Sequence, residues 1–236
     1  MFARISTKRL AKAIRSSIRP GRLYPIAHRP FSNLIDTNNL LEAFGKEFEF
    51  ERDNYEAVAE KADFLRTKGF EFHETNDGTN MILSKQFEDK TMEICFKSRL
   101  PGFESEGYDL SDEEDDLNEA SYTDFTVYIS KDNKGIIYEC TCLNTEVSIT
   151  QVLFSNDIKS FKNIPTYHKE EEVYLGPDFV SLPESIQKHM SNFLINSGID
   201  QETVAFVEVM SLDKEQRLYM KWLTDLERFV KSPKII

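Results

Sequence analysis

Hydrophobic residues along this chain follow three successive periods, and each predicts a different kind of element. From Leu34 to Tyr55 the apolar side chains Leu34, Leu41, Phe48 and Tyr55 return every seven residues, with Phe44 between them and Glu42, Lys46, Glu47 and Arg52 elsewhere. A helix turns once in about 3.6 residues, so this spacing stacks the apolar groups into one narrow stripe, and the segment reads as an amphipathic helix with a seam suited to pairing. Gly45 weakens it by about 1 kcal/mol relative to Ala, because glycine has more backbone freedom to lose. From Phe70 to about Phe154 the period becomes two. Met92, Ile94 and Phe96 alternate with Glu93, Cys95 and Lys97; Phe125, Val127 and Ile129 alternate with Thr126, Tyr128 and Ser130; Val147, Ile149 and Leu153 are interleaved with Ser148 and Thr150. Successive side chains of a strand point to opposite faces, so these are half-buried strands. Asn76-Asp77-Gly78, Glu88-Asp89-Lys90 and Asp132-Asn133-Lys134-Gly135 are turn sequences short enough to join neighbouring strands as antiparallel hairpins. Six strands are predicted, plus a short seventh around Glu172 to Leu175.

Beyond Pro177 the helical period returns. Ser181 and Glu184 stand three apart as in a capping box, Pro183 suits a first turn, Gly198 suits the end of that helix, and Asp200 is placed to cap the next. The final helix carries Tyr219, Trp222, Leu226 and Phe229 at spacings of three and four, and Leu218, Leu223 and Val230 widen the stripe. The predicted order is helix, sheet, helix, helix, an α+β arrangement whose first and last helices each offer a seam.

Charge divides the chain. Residues 1–31 hold eight basic side chains (Arg4, Lys8, Arg9, Lys12, Arg15, Arg19, Arg22, Arg29) and no acid; of 41 acidic and 29 basic side chains in all, residues 32–236 keep 41 against 21, a formal charge of −20. An Arg-rich, acid-free leader of this kind is the composition of a mitochondrial transit peptide, since a negative membrane potential draws a cationic amphipathic helix inward. Its apolar runs are too short for a secretory signal, and Arg29-Pro30-Phe31-Ser32 resembles a matrix-peptidase site, which places cleavage near Phe31. The alternative is a basic arm that binds nucleic acid or anionic lipid. Residues 32–236 suffice for one domain with a real core, and no stretch approaches the roughly 20 apolar residues of a membrane-spanning helix. The odd cysteine count (Cys95, Cys140, Cys142) argues against a disulfide framework. On a strand Cys140 and Cys142 share a face with Tyr138, as two small buried side chains. A body this acidic repels phosphate backbones, so direct nucleic-acid binding by it is not expected and basic proteins are its natural partners.

The densest charge lies at about 101–121. Between Arg99 and Lys131 there is no basic residue, while Glu104, Glu106, Asp109, Asp112, Glu113, Glu114, Asp115, Asp116, Glu119 and Asp124 are present. With Gly102, Gly107 and several serines nearby, the segment reads as a mobile loop joining two strands. It could be a solvated loop, a docking surface for Lys/Arg-rich partners, or a calcium site. Calcium loops space their ligands at alternate positions around a glycine turn, and here Leu117 stands where that glycine belongs; loose condensation of cations fits the five consecutive carboxylates better. Only His73, His168 and His189 lie beyond the leader, none in a metal or triad spacing, and no phosphate-binding glycine loop, nucleophile elbow or dinucleotide fingerprint is present. The expectation is a non-catalytic protein without a cofactor or metal.

The stretch Tyr174-Leu175-Gly176-Pro177-Asp178-Phe179, a helix ending near Gly198-Ile199-Asp200, and Lys214-Glu215-Gln216 leading into Tyr219, Trp222, Leu223, Leu226, Phe229 and Val230 resemble the mitochondrial acidic matrix protein family. The basic leader, the early helix through Glu47 to Glu51, the strand pattern and the acid-rich loop extend the resemblance over nearly the whole chain. It implies a ring-shaped homotrimer of the mitochondrial matrix. Each subunit would be a twisted seven-stranded antiparallel β-sheet flanked by one N-terminal and two C-terminal α-helices. The first and last helices would pair and make subunit contacts through Leu34, Leu41, Phe44, Phe48, Tyr219, Trp222, Leu226 and Phe229. The resemblance further implies a non-catalytic role in mitochondrial translation, ribosome assembly and maintenance of oxidative phosphorylation; the charge of the body adds to it the expectation of basic clients, such as mitochondrial ribosomal proteins, met by the acidic loop. Three rival classes stand beside it: an assembly factor with one specific groove, an enzyme whose site forms across subunits, and a low-affinity calcium buffer.

Overall fold

The computed structural model describes residues 37–99, 122–165 and 168–231. The leader 1–31, Leu34 and the carboxylates from Glu104 to Glu119 lie outside them. Helix α1 (Thr37–Asn54) is followed by a short α2 (Lys61–Lys68) and six strands: β1 (Glu71–Glu74), β2 (Asn80–Phe87), β3 (Lys90–Lys97), β4 (Thr123–Lys131), β5 (Lys134–Leu143) and β6 (Glu146–Ser155). Then come α3 (Ile158–Asn163), α4 (Lys169–Glu172), a 3-10 turn (Phe179–Ser181), α5 (Glu184–Asn196) and the long α6 (Gln201–Lys231).

The strands form one antiparallel sheet in sequence order, β1 to β6, each pairing only with its chain neighbours. Turn chemistry explains this meander. Asp132 and Asn133 both have positive φ (50° and 63°), as do Asn144 and Thr145 (51° and 69°), the twist that two-residue hairpins need to match that of their strands. Gly135 is required by close approach: a β-carbon there would collide with the carbonyl of Ile129.

One face of the sheet carries the main core. Met81, Leu83, Met92, Ile94, Phe96, Phe125, Val127, Ile129, Tyr138, Cys140 and Cys142 meet Phe64 and Phe70 from the α2 region, Leu194 of α5, and Val204, Phe206, Val207 and Met210 of α6. Phe206 stacks on Phe64 with centroids 4.0 Å apart and meets Phe72 edge-on. The opposite face has a smaller cluster, in which Tyr128, Ile137 and Leu153 lie under Ile158 and Phe161 of α3. The β4–β5 turn holds α3 there: Ile158 N donates to Asn133 O (2.8 Å) and Lys159 N to Asn133 Oδ1 (3.1 Å), while Asp157 caps the helix by accepting from Ser160 N.

Four expectations change. The seventh strand at Glu172 to Leu175 is absent: Glu172 ends α4, and residues 173–175 form no ladder. Val173 and Leu175 pack against the smaller cluster, which explains their alternation, and Gly176 (φ 77°) then turns the chain into Pro177, which has no N–H to give. Leu153 does not share a face with Val147 and Ile149, because β6 carries a bulge. Glu139 pairs with Gln151 and Cys140 with Ile149, leaving Thr150 as the extra residue, its hydroxyl donating to Glu139 O. The Ser181 capping box is also absent; Ser181 sits in the 3-10 turn and donates to Asp178 O, while Pro183 occupies the cap position of α5. Helix α2 is an addition, a polar octapeptide with Phe64 as its only buried residue. Asp200 does cap α6, accepting from Thr203 N at 2.9 Å.

Candidate functional site

Two regions hold the residues singled out in the sequence: the root of the acid-rich segment and the seam between α1 and α6. The segment joins β3 to β4, which are adjacent and paired, with Phe96 opposite Phe125. Its roots are fastened. Ser98 N donates to Thr79 O (2.9 Å) and Arg99 N to Ser211 O of α6 (3.2 Å). The Arg99 guanidinium, the last basic group before the acid run, is half-buried within the field of Glu208, itself 4 % exposed. Glu208 accepts from Thr145 N (3.1 Å). Burial raises the Glu208 carboxyl above its ordinary value, outweighing its backbone donors and the Arg99 charge. Beside them Cys142 donates to Thr123 O. Burial pushes the Cys142 thiol up to about 12, and that of Cys140 higher still, so both stay protonated and unreactive. All three cysteines are free thiols.

Along the seam α1 and α6 run antiparallel, and polar pairs set their alignment. Tyr219 donates to Glu47 Oε1 (3.1 Å), Gln216 Nε2 to Glu51 Oε2 (3.2 Å), and Tyr55 to Asp213 Oδ1 (3.0 Å). Glu47 and Glu51 stand one turn apart on α1, and Tyr55, four further on, follows just past its end. Glu51 continues the heptad of Leu41, Phe44 and Phe48 and is 2 % exposed; its Oε1 is buried with no hydrogen-bond partner. An orphaned acceptor costs about 1–3 kcal/mol, the sort of cost at which a polar residue in an apolar seam enforces one register. Burial, reinforced by Asp213 and Glu47 respectively, raises the Tyr55 and Tyr219 hydroxyls to about 12, so both remain donors.

The ladder continues into an ionic cluster. Lys214, 1 % exposed, donates to Thr75 O (2.5 Å) and pairs with Glu74 Oε2 (2.9 Å). Arg217 spans Glu74 (2.9 Å) and Asp213 (2.8 Å). Burial alone would raise the Glu74 carboxyl, but the Arg217 and Lys214 donors outweigh it and hold the group below its ordinary value. The end of β1, the turn that follows it and α6 are thereby tied at one point, and Tyr55, just past α1, joins them through Asp213.

Of the predicted seam residues, Leu41, Phe44, Phe48, Tyr219 and Leu226 are half-buried and lie on the two paired helices. Leu223 is buried, whereas Trp222 (53 %) and Phe229 (78 %) stand exposed on the flank of α6, Trp222 stacked on Tyr219. The polar rungs escaped the apolar pattern; the spacing of Glu47, Glu51 and Tyr55 was their available signal. Among the described residues no group of three His, Cys, Asp or Glu could hold a metal ion, and no helix is long and apolar enough to cross a membrane.

A single antiparallel meander, covered on one face by α2, α5 and α6, on the other by α3, and clasped by its first and last long helices, defines an α+β class with an acid-rich segment between two central strands. The mitochondrial glycoprotein family model matches residues 44–230, from within α1 to the last turn of α6, and the chain belongs to that family; it is a mitochondrial protein. It is 28% identical over 131 residues to the mitochondrial acidic protein mam33 of Schizosaccharomyces pombe, an alignment covering 54% of this chain and 49% of that protein, so the chain spans about half the length of the curated relative it matches. Among solved structures, the Trypanosoma brucei p22 protein superposes with a TM-score of 0.64 at 19% identity, covering 84% of this chain and 100% of its own. A Leishmania major protein, described as hypothetical, of unknown function and a sequence homologue of human p32 protein, gives 0.65 at 19% identity with the same coverage. At such identity the two likenesses concern the fold.

Proposed function

We propose that the chain is a non-catalytic acidic scaffold or chaperone of the mitochondrial matrix, a homotrimer that holds basic client proteins such as mitochondrial ribosomal proteins and so supports mitochondrial translation, ribosome assembly and oxidative phosphorylation. The observation that carries this reading is the formal charge of −20 on residues 32–236, with ten acids and no base between Arg99 and Lys131. Family membership and the name of the fission-yeast relative, an acidic mitochondrial protein, support it. Exposed Trp222 and Phe229 on α6 suit contact with a second copy. Three copies would gather a formal charge of about −60, three times −20, so that weak exposed ion pairs add through multivalency.

The test is capture of basic mitochondrial proteins at low and high ionic strength, with Asp112, Glu113, Glu114, Asp115 and Asp116 intact or replaced by Asn and Gln, and native mass measured on both forms. The scaffold reading expects capture to fall with salt and with the replacement while the trimer persists; capture indifferent to both would refute it. A calcium buffer would instead show stoichiometric saturation in calorimetry that survives moderate salt.

A further inference from the structure

Lys85 occupies a position where the strand pattern calls for an apolar residue. It follows Met81 and Leu83 on the core-facing side of β2 and stands opposite Met92. Its Nζ lies 4.5 Å from the centroid of the Phe70 ring. A β-carbon at residue 198 would collide with that Nζ, so the glycine at the α5–α6 corner is what leaves the amine room. The carboxylate whose charge reaches it is Asp200, yet Asp200 and its neighbour Glu202 are engaged by Lys68 Nζ at 2.5 and 2.6 Å. Among the described residues no carboxylate forms an ion pair with Lys85 itself. The side chain is half-buried, not sealed.

This environment is unlike that of the other described lysines. Lys46, Lys61, Lys90, Lys131 and Lys214 each hold a carboxylate. Lys61 and Lys162 also sit over aromatic rings, those of Phe72 and Tyr128, but each is paired with a carboxylate, Glu74 and Glu93 respectively, and burial lowers the proton affinity of Lys162 as well. Lys97, Lys134, Lys159 and Lys188 are exposed to water, which stabilises their charge. At Lys85 the ammonium has been withdrawn from part of its hydration with a ring face and only the unpaired field of Asp200 in return, and desolvation without a paired carboxylate favours the neutral amine. Burial is the main cause that lowers its proton affinity; the Asp200 charge resists, and the Lys68 charge adds to the lowering.

We propose that Lys85 is a modification site, acylated by activated acyl thioesters without the help of another enzyme. The neutral amine adds its lone pair to the thioester carbonyl and the C–N bond forms. The C–S bond breaks, and the proton released from nitrogen passes through water to the departing thiolate. The products are an ε-amide on Lys85 and a free thiol, with no change of oxidation state. The charge at the corner is then lost, leaving Lys68 alone to face Asp200 and Glu202. The proposal is independent of the scaffold reading.

The experiment treats the intact, folded chain with an uncharged acetyl thioester, since a body of formal charge −20 would repel an anionic donor. Peptide mass spectrometry follows each lysine at several pH values between neutral and strongly alkaline. The expected result is that near neutral pH Lys85 acetylates several-fold faster than Lys97, Lys134, Lys159 and Lys188. That lead narrows as alkali deprotonates the exposed amines, and it vanishes in urea. A Lys85 rate at or below the exposed lysines throughout, or a lead that persists in the unfolded chain, overturns the proposal.

Discussion

The two halves of α6 are held by different physics. Its first half, through Met210, is buried on several sides: Val204, Phe206, Val207 and Met210 are each 1 % exposed and belong to the core beneath the sheet. From Asp213 onward the helix lies along α1, where polar rungs stand among the half-buried Leu41, Phe44, Phe48 and Leu226, and the Lys214–Glu74–Arg217 cluster ties it to the end of β1. Apolar burial is strong but indifferent to small slips, whereas hydrogen bonds and ion pairs add less net energy and demand one alignment. The near half of the helix therefore supplies stability. The far half supplies register, and it presents Trp222 and Phe229 outward in a defined place.

The contrast can be broken most severely at Phe206. Phe206→Ala removes a ring stacked on Phe64 and leaves a cavity, and it should cost about 3–5 kcal/mol in denaturant unfolding. A loss under about 1 kcal/mol would mean that the near half is not the main source of stability. Lys214→Met should cost less, about 2 kcal/mol, because Glu74 keeps Arg217 and some exposure to water. Hydrogen exchange should place that loss in α1 and the far half of α6; a loss spread evenly over the sheet would contradict the division. The smallest effect is one of pH. Glu74 is held below its ordinary value of 4.5, so its contribution is present above that value and disappears as pH falls through the depressed one. Glu208 is raised, so its contribution is complete below 4.5 and is lost as pH rises through the raised value. On acidification, protection around Glu208 should rise first, and protection of the α1 seam should decline afterwards. The reverse order, followed by hydrogen exchange, would be incompatible with these environments.

Much of this was legible in the residues, for reasons that differ by element. The strands announce themselves because a half-buried sheet forces alternation and its turns require Asp, Asn and Gly at set places. The seventh strand misleads because Val173 and Leu175 alternate for another purpose, docking on the second cluster without ladder bonds. Leu153 changes face because one extra residue at Thr150 shifts the parity, and a bulge of this kind leaves no mark in a hydrophobic pattern. Helix α2 is hidden by its polarity, with Phe64 its one buried residue, Leu65 at the edge of the core, and Lys61 and Lys68 paired with Glu74, Asp200 and Glu202. At the candidate site the apolar stripes identify which helices meet, but what aligns them is Glu51, Gln216, Tyr55 and Asp213. Polar residues inside a seam are indistinguishable from solvent-facing ones until the partner helix is in place. The location of the acidic segment between β3 and β4 is legible from charge alone; its anchorage to Ser211 and Glu208 needs the tertiary structure.

The rungs between Tyr55 and Asp213 and between Glu47 and Tyr219 span 158 and 172 residues of chain. The meander, by contrast, forms wholly from neighbours in sequence. A polypeptide emerging amino end first, from a ribosome or through a translocation pore, can thus complete its hairpins one after another while α1 waits for a mate that arrives last. Until then Leu41, Phe44 and Phe48 are an unclosed zipper, a transient liability that a holding factor on the receiving side would shield and that docking of the final helix ends.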